Sequence, residues 1–207
     1  NQVLKASEMF VLLKPILAEM EFPPHHYWEL GGELEDSAKA QKNLAKWLLP
    51  CFGGIIFLLV WQFNSIRRAA IIVLTMPLVI VGSVVGLLVM QADFGFMVIL
   101  GLLALAGSIV NNGIVMIDKI EENKRDGMTP YEAVVNSAIS RFRPILLSVS
   151  TTMLGFSPLI INHDPLFYGM ACVMFFGLGI GSLFTLNYVP ALYSLFFRVR
   201  PPSREAI

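Results

Sequence analysis

The 207 residues are 56% hydrophobic and 14% charged, with a mean hydropathy of +0.68 and a formal net charge of 0. A soluble domain carries about 25% charged residues, so the composition argues against an ordinary soluble globule, and the balanced charge argues against a nucleic-acid partner. The two cysteines, Cys51 and Cys172, lie inside apolar runs, which suits buried hydrophobes and neither a disulfide framework nor a metal site.

The chain opens at Asn1 with no leader pattern, and its first residues read as the interior of a longer protein, so a fragment is expected. Val3, Ala6, Phe10, Leu13, Leu17 and Met20 fall at helical spacing, and Pro23-Pro24 stops that helix. A short strand-like stretch over 27–34 is broken by Gly31-Gly32, and Asp36 and Ser37 can cap a polar helix running to Lys46. This piece has too little apolar surface to be a domain alone. Residues 1–34 are expected to end a domain outside the membrane, with 35–46 a linker helix.

Membrane spans follow. No Asp, Glu, Lys or Arg occurs between Arg68 and Asp93, between Asp93 and Asp118, or between Asp164 and Arg198. A helix crossing a hydrocarbon core of about 30 Å needs about 20 apolar residues. Five spans are therefore expected, at 47–63, 69–90, 94–117, 144–162 and 166–197, within a membrane domain at 47–197 and ahead of a tail at 198–207. Pro50, Pro77, Pro158 and Pro190 lie inside them, which membrane helices tolerate because neighbouring groups re-satisfy the freed carbonyls. Arg67 and Arg68 follow the first span; Lys119, Lys124, Arg125, Arg141 and Arg143 separate the third from the fourth; Arg198, Arg200 and Arg204 follow the fifth. The alternate loops have no Lys or Arg, so the basic loops and the C-terminus are expected in the cytoplasm.

Thr129-Pro130-Tyr131-Glu132 has the form of a capping box with Pro at the first helical position. Behind it Tyr131, Val134, Val135, Ala138 and Ile139 share one face. An amphipathic helix over 129–140 is expected, either lying on the membrane surface or packed against the span ends.

Polar side chains at membrane depth are costly and mark pathways. In the third span, Ser108, Asn111 and Asn112 interrupt an apolar helix, with Asp118 further along the side of Asn111. In the fourth, Ser148, Ser150, Thr151 and Thr152 crowd two turns. Two readings stay open: a proton or ion path, or hydrogen bonds that join helices. Gly82 and Gly86, Gly107, and Gly177 and Gly181 are candidates for close helix packing. Adjacent His25-His26 chelates poorly, and the ten methionines are scattered as gap-fillers. No nucleophile–base set or phosphate loop occurs, so neither an enzyme nor a cofactor is expected.

Several strings together resemble the resistance–nodulation–cell division transporters, hydrophobe/amphiphile efflux branch. They are Gly32-Glu33 with Asp36-Ser37, Gln62-Phe63-Asn64-Ser65, Met76-Pro77-Leu78, Gly107-Ser108-Ile109-Val110-Asn111-Asn112-Gly113, Arg141-Phe142-Arg143-Pro144 through Ser148, and Gly155-Phe156-Ser157-Pro158-Leu159. The resemblance implies an all-α membrane fold: the last five helices of a twelve-helix transporter, preceded by a short α+β periplasmic tail. It implies a homotrimer in the bacterial inner membrane, working with a periplasmic adaptor and an outer-membrane channel, that exports hydrophobic or amphiphilic molecules in exchange for protons. Heavy-metal efflux is the alternative, ranked lower because relatives of that kind tend to carry an acidic residue where this chain has Asn111-Asn112. A truncated, non-transporting assembly module is a third reading. In the family a proton relay joins paired aspartates on another helix to a lysine and a hydroxyl. Here the lysine position falls on Asn111, beside Asn112, and the hydroxyl on Ser148, with Thr152 and Asp118 as further candidates. An amide accepts and donates hydrogen bonds but supplies no charge.

Overall fold

The computed structural model describes Leu13 and residues 33–199, and all its elements there are α-helices: α1 Glu33–Phe63, α2 Ile66–Met90, α3 Phe96–Arg125, α4 Pro130–Ile161 and α5 Tyr168–Phe196. The chain divides into two units, Asn1–Gly53 and Gly54–Ile207. Of the first, the described part is the opening of α1, where Trp47 and Leu49 are exposed. The expected helix over 3–20, the stop at Pro23-Pro24 and the tail beyond Val199 lie outside the described residues. Each of the five helices holds a stretch long and apolar enough to cross a bilayer.

Three boundaries differ from expectation. α1 begins at Glu33, so Asp36 and Ser37 lie within it and do not start it, and Glu33 and Leu34 are helical where a strand was expected. α3 continues past the apolar run to Arg125. Its polar last turns are held by ion pairs at i,i+3, Lys119 to Glu122 at 2.9 Å and Glu121 to Lys124 at 3.5 Å. The expected surface helix and the fourth span are one helix, α4, with Pro144 and Pro158 inside it.

Of the expected apolar face, Val134 is buried and Ala138 half-buried, while Tyr131, Val135 and Ile139 are exposed; Ala133 and Ser137 are buried beside Val134. A polar pair decides this. The buried Asn123 amide of α3 donates to Ser137 Oγ at 2.8 Å and to the Ala133 carbonyl at 3.3 Å, and small side chains at both positions permit that approach. The N-terminus of α4 has the expected box: Glu132 N–H donates to Thr129 Oγ1 at 3.3 Å and Thr129 N–H to Glu132 Oε2 at 3.1 Å.

In the second unit α5 is the central helix, packing on α2, α3 and α4. It is apolar all round, the pattern of a helix enclosed by others, and Ala171, Val173, Val189 and Tyr193 are essentially inaccessible. Glycines set its distance from α2. A methyl group added at Gly82 would lie 3.2 Å from Gly177 Cα, and one at Gly86 would lie 2.6 Å from Phe176 Cβ. Gly181 fits against Ile109 of α3, which a methyl would meet at 3.1 Å. Around Gly107, its own helix backbone aside, no atom of the described residues lies within 4 Å of such a methyl. At the α4–α5 turn, Asp164 Oδ1 accepts from Leu166 N–H at 3.0 Å and Phe167 N–H at 2.8 Å. Tyr168 stacks on His163 at 4.9 Å and donates to the Met90 carbonyl at 3.1 Å, which ties this turn to the end of α2.

Candidate functional site

The polar break in α3 separates its two amides. Asn112 turns inward and its Nδ2 donates to Ser182 Oγ of α5 at 3.4 Å, a helix-joining contact across the core. Asn111 is exposed and makes no hydrogen bond among the described residues. Ser108, half-buried, bonds back to the Ala104 carbonyl at 3.2 Å.

On α4, Ser148 is exposed, and its hydroxyl has no partner among the described residues. Its carbonyl accepts from Thr151 Oγ1 and Thr152 Oγ1, each at 2.9 Å. Such back-bonding satisfies a hydroxyl within its own helix and leaves it available for exchange with a neighbour. Asp118 is exposed with no ion pair or hydrogen bond among the described residues; the cations acting on its carboxylate are Arg125 and Arg141. Of the candidate residues, Asn112 is therefore joined to α5, while Asn111, Ser148 and Asp118 are on open surface. No hydrogen bond links Asn111 to Ser148.

Two features escaped the sequence. Arg141 lies about two turns before Ser148 on the same side of α4, and its Nε is buried with no partner among the described residues. The second is an ion-pair cluster joining three helices. Arg68 of α2 pairs with Glu121 of α3 at 2.9 Å, and its Nη1 donates to the Phe63 carbonyl at 3.2 Å. Tyr193 of α5 donates its hydroxyl to Glu121 Oε1 and accepts from Lys124 Nζ at 3.3 Å. Tyr193 also stacks on Phe197 at 4.5 Å, with Lys124 Nζ 5.9 Å from both ring centres. Only the Glu121–Lys124 spacing was visible in the sequence; the Arg68 and Tyr193 contacts are tertiary. Among the described residues no three His, Cys, Asp or Glu side chains gather where they could hold a metal ion.

Comparison with known proteins covers almost the whole chain. Residues 3–197 match the model of the AcrB/AcrD/AcrF family. The nickel and cobalt resistance protein CnrA of Cupriavidus metallidurans is 32% identical over 91% of this chain, and the multidrug resistance protein MdtC of Salmonella arizonae 24% over 89%. Each match covers 18% of the relative, so the chain spans about a fifth of their length. A crystal structure of a heavy metal efflux pump superposes with a TM-score of 0.72 at 28% identity, covering 95% of this chain and 20% of that one. With a family match over nearly its full length and a 32% identical relative over 91% of it, the chain belongs to the AcrB/AcrD/AcrF family of resistance–nodulation–cell division transporters.

Proposed function

We propose that this chain forms the closing membrane part of an efflux permease that exports heavy-metal cations across the bacterial inner membrane in exchange for protons. The observation that carries the metal reading is the likeness to a nickel and cobalt resistance protein along 91% of the chain, supported by that to a heavy metal efflux pump. This reverses the ranking drawn from Asn111-Asn112. In this reading Asn111 belongs to the proton path and not to the cargo's, so it does not weigh against a metal. Export of hydrophobic drugs is the second reading, favoured by the likeness to MdtC. In either case the assembly is a trimer with an adaptor and an outer-membrane channel, and the basic loops and C-terminus face the cytoplasm.

In this reading the cation is selected outside the described residues, and the helices described do the proton work. Asn111 and Ser148 are uncommitted polar groups on apolar helices, a costly arrangement unless another polar helix meets them. Carboxylates on that helix would bond to the amide and hydroxyl when ionised and release them when protonated, which switches helix packing between discrete states. In this reading Arg141, whose Nε has no partner among the described residues, supplies the positive charge that Asn111 lacks.

The test uses everted membrane vesicles holding the complete permease, with collapse of a pre-formed pH gradient followed on adding nickel or a hydrophobic dye. Nickel, and not the dye, is expected to draw protons out, and Asn111→Ala is expected to abolish the nickel response at unchanged protein level. Full coupling in Asn111→Ala would remove Asn111 from the relay. A response to dye alone would return the function to drug export.

A further inference from the structure

We propose that Arg143, with the apolar groove that follows α4 from it toward Ser150, binds an anionic phospholipid, phosphate on the guanidinium and acyl chain in that groove. Arg143 is exposed and has no ion pair or hydrogen bond among the described residues. It lines two grooves. One, of about 340 Å³, runs between the helices past Ile139, Phe142, Leu183, Leu186 and Asn187. The other, of about 660 Å³, follows α4 past Pro144, Leu146, Leu147 and Ser150. Both are apolar apart from Arg143, Asn187 and Ser150.

Depth favours a lipid as the occupant. From Arg143 to the end of α4 at Ile161 the helix rises about 27 Å, close to the roughly 30 Å hydrocarbon thickness. With Ile161 at one boundary, the guanidinium is at the other, at the level of lipid phosphates. Apolar side chains flank it on the hydrocarbon side, with Leu147 72% and Leu183 55% exposed. An unpaired cation there is complementary to an anionic headgroup, and guanidinium binds phosphate oxygens in a two-pronged manner that an ammonium does not reproduce. Asn187 Nδ2 is engaged with the Leu183 carbonyl at 2.9 Å, so the headgroup charge is met by Arg143. The inference needs only that α4 crosses a bilayer, and it holds whatever the permease exports.

The complete protein, purified in detergent, is offered equal amounts of phosphatidylglycerol and phosphatidylcholine in mixed micelles, and bound lipid is counted by native mass spectrometry. One cationic side chain near the lipid surface corresponds to about a fivefold preference for the anionic lipid. That preference is expected in the wild type, kept in part in Arg143→Lys and absent in Arg143→Gln. Leu147→Trp, which fills the groove along α4 and keeps the charge, is expected to lose retained lipid of both kinds. Equal retention of the two lipids by the wild type, as when another part of the protein covers the groove, overturns the proposal. So does an unchanged preference in Arg143→Gln or unchanged retention in Leu147→Trp. Circular dichroism of each variant verifies the helices. The readout is independent of transport, so failure of the metal reading leaves it intact.

Discussion

At single positions the structure separates residues that look alike in the sequence. Asn111 and Asn112 are adjacent amides, yet one meets Ser182 across the core and the other is on open surface. Glycines divide in the same way. A methyl at Gly177 would collide with Leu105 Cδ2 and come within 2.8 Å of Ser83 Oγ, a hydroxyl already bonded to the Val79 carbonyl at 2.8 Å. Neither neighbour moves freely, since Leu105 is fully buried and Ser83 nearly so. Gly177→Ala is therefore expected to destabilise the bundle by about 1–3 kcal/mol, the usual cost of overpacking. In this chain by itself, Gly107→Ala meets open space among the described residues and gains helix propensity of about 0.5–1 kcal/mol. Thermal unfolding in one detergent measures both, and equal shifts in the same direction would contradict the packing described.

Whole helices show how far local signals reach. The start of α4 was legible because a capping box is closed within four residues: Thr129 and Glu132 satisfy each other's backbone groups and need no tertiary partner. The buried face was not legible, because Asn123 of α3 fixes it by bonding to Ser137 and Ala133, and only the fold brings those together. Pattern alone grouped Tyr131, Val134, Val135, Ala138 and Ile139, of which Val134 is buried and Tyr131, Val135 and Ile139 are exposed. The same logic explains the overrun of α3, where apolar periodicity ends but i,i+3 ion pairs carry the helix on. Removing the cap by Thr129→Ala is expected to cost about 1 kcal/mol. The loss belongs to the first turn of α4. Faster amide exchange confined to the residues just after Pro130 is expected, with the Asn123–Ser137 level still protected. Exchange speeding up along all of α4 would mean that the cap supports the whole helix.

Over the whole molecule, the number of spans was legible because hydrocarbon thickness sets a length that charge-free runs display directly. The site was legible only as polar residues in apolar helices; which of them are joined depends on helix rotation, which sequence periodicity does not fix. Cargo is a further step away. Orientation is expected from charge in short loops, because Lys and Arg resist transfer across the bilayer. The turn after α3 is flanked by Lys124 and Arg125, whereas that after α4 has Asn162, His163 and Asp164. After Cys51 and Cys172 are replaced by alanine, reporter cysteines at Asp126, Asn162 and Arg198 read this out. A membrane-impermeant maleimide added to intact cells, with the outer membrane opened, is expected to label Asn162→Cys. It is expected to reach Asp126→Cys and Arg198→Cys only after the inner membrane is broken. Asp126 and Asn162 labelled from the same side would mean that α4 does not cross. Asn162 and Arg198 labelled together would say the same of α5, and either result would break the five-crossing arrangement.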